Sequence, residues 1–379
     1  MIVERAFTSL NKHGEPLCGD RVLFGQTPTS FLAVLSDGLG SGVKANILAT
    51  ITTKVAMTML EAGATLEDVV NTIGRTLPEC KVRKLAYSTL TLIQIFQDGG
   101  IYVVEFDNPG FFLVRNGVVQ AVESRSRQIG TLSIKEYRWQ GQENDLLVAV
   151  TDGVIHAGIG ASLDFGWTAP KLGKYLEALA KQNYSSAEIC ESVLRNAKKL
   201  SRGIMRDDAT VLACKIRTKR TATVAVGPPI DPNDDQIYLQ KLLAEKQKRV
   251  VCGGTTATIV ARELSTEISV DLAQINESDS IPPIGHIDGI NLVTEGLLTL
   301  SAVYEYLSQQ QIPDEDNGAT RLAKLLLEVD QVNFLVGRAI NPAHQNPNLP
   351  VHLSLKQQLI TKIAKVLEAL GKIIIIEYF

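Results

Sequence analysis

FLAVLSDGLGSGVKA, residues 31–45, is the stretch on which the reading of the fold turns. An apolar run stops at Ser36-Asp37-Gly38, glycines recur at 38, 40 and 42, and helix-forming residues follow. An apolar run of this length is a buried strand that delivers Asp37 to a sheet edge. The glycines let the backbone come close to whatever the carboxylate holds. Taken alone, Asp37 has two readings. It caps an ordinary strand-to-helix turn, since Asp and Gly are default turn residues, or it holds a metal or a phosphate.

Working outward, the same design recurs. DLLVAVTDGVIHAG, residues 145–158, is again an apolar run, Thr-Asp-Gly and a loop, with Asp152 at the strand end. Upstream, HGEPLCGDR leads into VLFG and sets Asp20 beside a strand; downstream, RDDATVLACKI sets Asp207 and Asp208 before another. Between them, KANILATITTKVAMTMLEAG has helical spacing and a Gly63 C-cap, and Thr65 caps a second helix over LEDVVNTIGRTL. STLTLIQIF, GIYVVEF and GFFLVRNG read as an antiparallel meander separated by Asp-Gly-Gly and Asn-Pro-Gly turns. Helices follow near 171–180 and 186–200, the latter opening with a capping-box-like SSAE.

The chain of 379 residues exceeds what one core usually covers, so two domains are expected. KIRTKRTATVAVGPPIDPNDD mixes basic, proline and turn residues and marks the boundary, giving domains at 1–217 and 245–379 with a linker at 218–244. Beyond it, YLQKLLAEKQKR reads as an exposed helix, and strand and helix then alternate to the final IIIIEYF, an α/β pattern. A net charge of -3 gives no concentrated basic face for nucleic acid or a membrane surface. Five scattered cysteines without a CxxC pair argue against a disulfide framework or a zinc site and fit a reducing cytoplasm. The charged start MIVERAFTSLNKHGEP lacks a signal peptide's apolar core, and Ile373–Ile376 is only strand length, so a soluble cytoplasmic protein is expected.

Asp20, Asp37, Asp152 and Asp207 thus share one setting, the junction of an apolar strand and a polar or Gly-rich turn. No histidine has zinc-ligand spacing, so the implied donors are hard oxygens suited to Mg²⁺ or Mn²⁺. SDGLGSG at 36–42, TDGV at 151–154 and DDAT at 207–210, with GD at 19–20 and STLTL at 88–92, resemble the ordered motifs of the metal-dependent type 2C (PPM) protein serine/threonine phosphatases. DDAT and the short helical insertions resemble the bacterial SpoIIE-type branch, and the likeness covers about residues 1–217.

The resemblance implies an α+β fold: an αββα sandwich followed by a smaller α/β domain. It also implies two Mn²⁺ or Mg²⁺ ions at one end of the sheets. Asp37 would bridge both, the Gly38 carbonyl would complete one, Asp152 and Asp207 would hold the second, and Asp20 would act mainly through coordinated water. A water activated between the cations would hydrolyse phosphoserine or phosphothreonine of a protein, with an anti-sigma-factor antagonist as the implied kind of substrate. Asp208 is either a further ligand or orders its loop. His13 and His156 are either solvated or protonate the leaving alkoxide, and Arg21 is a surface salt contact or a phosphate clamp. Ser88 and Thr89 are strand residues whose hydroxyls bond locally.

In 245–379, VVCGGTTATIVAR is a strand, Gly253-Gly254-Thr255-Thr256 and a helix. It either cradles an anion or is a tight turn. It lacks a P-loop lysine and the third glycine of a dinucleotide fingerprint. This domain is expected to bind a small-molecule or protein ligand and regulate the phosphatase. The rival readings are a non-catalytic phosphoprotein-binding scaffold and a phosphatase that regulates an enzymatic C-terminal domain.

Overall fold

The computed structural model describes residues 1–76, 88–129, 132–182, 184–244, 247–270, 282–339 and 355–379. The chain divides into two compact units, Met1–Thr218 and Lys219–Phe379.

The first unit begins with strands β1 (Ile2–Leu10), β2 (Asp20–Gln26) and β3 (Ser30–Asp37), then helices α1 (Gly42–Glu61) and α2 (Leu66–Thr76). Strands β4 (Leu90–Phe96), β5 (Gly100–Phe106), β6 (Phe111–Arg115), β7 (Val118–Gln120), β8 (Ser124–Ile129), β9 (Leu132–Gln140) and β10 (Leu146–Val150) follow. The short helix α3 (Asp152–Ile155), α4 (Ala169–Lys181), α5 (Ser186–Leu200) and strand β11 (Ala209–Arg217) complete it. One antiparallel sheet runs β1-β11-β10-β6-β7 and the other β2-β3-β4-β5-β9-β8. Their facing sides interleave Ala33, Leu35, Ile93 and Val103 with Leu113, Leu147, Leu212 and Cys214, all buried. Helices α1 and α2 cover the outer face of the second sheet through Ala56, Met57, Val69 and Ile73. Helices α4 and α5 cover the outer face of the first through Leu172, Leu176, Ile189 and Val193. This is the expected αββα sandwich: central strands of the middle layers such as β3, β5 and β10 are buried on both sides, which is why 31–35 reads as an unbroken apolar run.

Local signals hold where they rest on caps. Thr65 accepts from the Asp68 amide at 3.2 Å and Ser185 forms a capping box with Glu188, so both helices begin where their hydroxyls stand. Gly63 adopts φ +85 at the end of α1. The tail of the second expected helix, Leu77, lies outside the described residues, as does Cys80; Cys18, Cys190, Cys214 and Cys252 are free thiols.

Three expectations are corrected. The meander does not continue past β5, because β4 and β5 pair in one sheet whereas β6 pairs with β10 in the other. Asp107 at φ 55 and Gly110 at φ 106 turn the chain across the sandwich between them. The polar stretch after β6 also holds the hairpin β8–β9, whose SRSRQI strand keeps its polar side chains in solvent at the sheet edge.

The proposed linker 218–244 is the larger correction. It carries β12 (Thr221–Val226), a 3-10 turn (Pro232–Asp234) and α6 (Asp235–Leu243). TATVAV is a central strand, with Ala222 through Val226 buried, and its proline-rich sequel is the loop at that strand's end. Nor is α6 an exposed helix: Tyr238 and Leu242 are fully buried, and the Tyr238 hydroxyl donates to the Gly227 carbonyl at 2.8 Å.

The second unit continues with β13 (Lys248–Cys252), α7 (Gly254–Leu264), β14 (Ser269–Val270), β15 (Gly285–His286) and β16 (Leu292–Thr294). It ends with α8 (Leu297–Gln309), α9 (Gly318–Glu328), β17 (Gln331–Val336), α10 (Leu355–Ala369) and β18 (Ile373–Tyr378). Its sheet runs β14-β15-β16-β13-β12-β17-β18, with β16, β13, β12, β17 and β18 parallel. Helices α6 and α7 pack on one face and α8, α9 and α10 on the other, a doubly wound α/β layer.

Candidate functional site: an acidic cluster at one end of the sandwich

Asp20 opens β2 and Asp37 closes β3, and antiparallel pairing sets them directly opposite each other. Asp152 opens α3 immediately after β10, and Asp207 and Asp208 precede β11, the strand next to β10. Each sheet therefore contributes carboxylates at the same end of the sandwich.

The glycines make this approach possible, though not where they were expected to act. A Cβ on Gly38 would stand 2.0 Å from the Ala45 carbonyl oxygen, and one on Gly153 would stand 2.0 Å from that of Asp208. The first lets α1 fold back over the Asp37 turn; the second lets Asp152 sit against the Asp207-Asp208 loop. What comes close to these glycines is the chain's own backbone. Gly40, at φ +107 with open space around it, serves only its turn.

Hydrogen bonds hold the acids in place. The Asp37 amide donates to the Thr89 hydroxyl at 3.0 Å, and the Ser88 hydroxyl donates to the Asp37 carbonyl at 3.1 Å. Ser88 also pairs with Ser36, so Ser88 and Thr89 brace the backbone at Asp37; they stand just before β4, and their hydroxyls bond across to the β3 end instead of locally as expected. The Thr151 hydroxyl donates to an Asp20 oxygen at 2.8 Å and accepts from the Thr210 amide at 2.9 Å, joining the two sheets. Sequence reasoning passed over Thr151; its signal was the hydroxyl just before the second Asp-Gly pair. Asp208 is buried at 3% exposure and accepts from the Lys12 amide at 2.9 Å, which fits the loop-ordering reading.

Two carboxylate oxygens, Asp20 Oδ1 and Asp208 Oδ2, are buried with no hydrogen-bond partner. Leaving such atoms unpaired costs about 1–3 kcal/mol each. The cluster also resists ionisation. Burial, then the charges of Asp20, Asp152 and Asp207, pushes the Asp37 carboxyl up to about 9. Burial first, with Asp208 and Asp152 adding to it against hydrogen bonds from Thr210 and Thr151, raises Asp20 to about 7. Asp207 is raised by burial and by Asp152. Mutually repelling, partly orphaned hard-oxygen donors are what a divalent cation relieves, so the residues present fit Mg²⁺ or Mn²⁺. Among the described residues no three acidic, His or Cys side chains are arranged, as they stand, to hold a metal ion. His13, His156 and Arg21 are exposed side chains on the flanking segments. Glu15 accepts from Ser41 at 3.0 Å beside Gly42, a tie to the Asp37 loop that the sequence reading did not single out.

Residues 27–217 match the family described as stage II sporulation protein E (SpoIIE). Among curated relatives, stage II sporulation protein E of Bacillus subtilis is 26% identical over 213 residues, 55% of this chain and 25% of the relative. That of Priestia megaterium is 22% identical over 191 residues, 49% of this chain and 32% of the relative. The chain thus spans a third or less of the length of these curated relatives. Among solved structures, the phosphatase domain of SpoIIE from Bacillus subtilis is 21% identical, with a TM-score of 0.44 over 57% of this chain and 92% of that one. Because the family match takes in half of its residues and every acidic junction but Asp20, the chain belongs to the SpoIIE family.

Proposed function

We propose that the first unit is a metal-dependent protein serine/threonine phosphatase acting on a phosphorylated protein, of the kind represented by anti-sigma-factor antagonists. The observation that carries this reading is the convergence of Asp20, Asp37, Asp152, Asp207 and Asp208 from both sheets, with two of their oxygens buried and unpaired. Family membership supports it.

In this reading Asp37, the Gly38 carbonyl, Asp152 and Asp207 hold two Mn²⁺ or Mg²⁺ ions, with Asp20 held in reserve by Thr151. When bound, the ions supply positive charge to the phosphoryl oxygens and acidify a water for in-line attack. The chain's own residues do the positioning. Thr89 and Ser88 fix the backbone at Asp37, Thr151 orients Asp20, and Lys12 pins one oxygen of Asp208 while leaving the other free. The reading needs no protein nucleophile; the hydroxyls of Ser88 and Thr151 are taken up by Ser36 and Asp20.

The test is hydrolysis of an aryl phosphate and a phosphoserine peptide across a Mn²⁺ series, for the wild type, Asp37→Asn and Asp152→Asn. Turnover that needs Mn²⁺ and is lost in both variants is expected. A wild type as inert as the variants would overturn the catalytic reading in favour of a non-catalytic phosphoprotein-binding scaffold.

A further inference from the structure

The helical layer over the second sheet leaves one corner uncovered. Helix α1 ends at Glu61 and α2 begins at Leu66. The elbow between them passes through Gly63 and Ala64, and nothing stands within 4 Å of a Cβ placed on Gly63. Residues this small cannot cover the strands beneath. A cavity of about 590 Å³ therefore opens between the elbow and strands β4, β5, β8 and β9. It lies at the far end of β4 from Asp37, where Phe96 pairs with Ser30. A volume of this order, with an apolar lining and a few convergent polar groups, is what a small-molecule site has.

Strand register sets its floor. Gln94 on β4 pairs with Tyr102 on β5, and Tyr102 pairs with Arg138 on β9, so the three form one row across the sheet. The row faces the helices, since Tyr102 belongs to a cluster with Val70 of α2. Phe96 and Leu66 pack against the same cluster and give the cavity an apolar wall.

The charges along this row do not cancel. The Tyr102 hydroxyl donates to Glu136 at 2.7 Å, and Arg127 pairs with both Glu67 and Glu136. Those two acids are thereby taken up. The other acid lining the cavity, Glu61, turns its carboxylate onto β2, with Oε1 2.6 Å from where a Gly25 Cβ would stand. Arg138 remains, its guanidinium 4.0 Å from the centroid of the Tyr102 ring, and among the described residues no carboxylate pairs with it. A guanidinium over an aromatic ring keeps its N–H fork for a planar anion at its edge.

We infer that this cavity binds a small organic carboxylate with a flat apolar body, the carboxylate on Arg138 and the body against Tyr102, Phe96 and Leu66. An inorganic anion would leave the apolar wall wet, and an uncharged ligand would leave Arg138 unpaired. The site is separate from the acidic cluster and does not depend on turnover there.

The experiment is calorimetric titration of the full chain with naphthalene carboxylate and with its uncharged amide, which has nearly the same shape. Saturable binding of the carboxylate with a Kd of about 1 mM or tighter is expected, with the amide roughly tenfold weaker or more. Arg138→Gln should weaken the carboxylate roughly tenfold, the loss of a hydrogen bond between charged groups, and leave the amide unchanged. Arg138→Lys keeps the charge without the fork and should fall between the two. Arg138 is exposed, so both variants should melt with the wild type. The inference fails if the carboxylate does not saturate the wild type, if carboxylate and amide bind alike, or if Arg138→Gln binds the carboxylate as the wild type does.

Discussion

Thr151 does two jobs with one oxygen, donating to Asp20 and accepting from the Thr210 amide. Thr151→Val would leave the buried Thr210 amide without its side-chain acceptor and strip Asp20 of one of its hydrogen bonds. A loss of roughly 1–3 kcal/mol in urea unfolding is expected, together with weakened Mn²⁺ dependence of phosphatase activity. Glu105 is a different case, a carboxyl on the inter-sheet side of β5 that is buried at 5% exposure and raised from 4.5 to about 7. Burial is the cause, offset only in part by a hydrogen bond from Tyr137 and by Lys135. The folded state therefore keeps this proton where the unfolded state has released it. Stability is full below the unfolded value and falls as pH rises from 4.5 through about 7. Glu105→Gln should flatten that decline, leaving the variant more stable than the wild type by about 1–3 kcal/mol near pH 8. Thermal unfolding across a pH series checks it; parallel profiles for the two proteins would count against a charged Glu105 as the cause.

At the scale of elements, the two Asp-Gly turns are places where one loop leans on another chain segment. Gly153→Ala would press a methyl group into the Asp208 carbonyl, and Gly40→Ala would meet nothing. The first should cost about 2 kcal/mol or more through forced backbone movement and separate Asp152 from Asp207, lowering turnover at least tenfold. The second should cost only the strain of a positive φ, about 1 kcal/mol, with activity largely kept. Denaturant midpoints and initial rates for the pair distinguish them. The elements that were legible from sequence share this locality: caps at Thr65 and Ser185 and apolar runs that end on an acid. What escaped was long-range. Nothing within GFFLVRNG says that it leaves the sheet of the two strands before it, because both sheets use the same strand chemistry. TATVAV was hidden by its neighbours, since the basic residues before it and the prolines after it outweigh six residues of buried strand. The four acids were legible because each stands at a strand end; Thr151 and Glu15 were not, because a hydroxyl or carboxylate that supports another side chain leaves no pattern along the chain.

For the whole molecule, the proposed metal-dependent reading links cation binding to folding of the first unit. A site assembled from both sheets exists only in the folded state, so saturating Mn²⁺ should stabilise that unit by about 2.7 kcal/mol at a hundredfold excess over its Kd. Calorimetric scans with Mn²⁺ and with chelator should differ in the transition of the first unit and coincide in that of the second. Among the described residues no helix is long and apolar enough to cross a membrane.

The opposition of Asp20 and Asp37 on one sheet to Asp152 and Asp207 beside the other has a consequence for quality control. A sandwich whose layers have slipped by one register, or docked incompletely, can be compact and still bring its acids together wrongly. Such a species would have no purchase on a divalent ion. Under the proposed function, the acidic end reads out whether the layers have met in register, and a misassembled copy is silent by construction instead of being partly active.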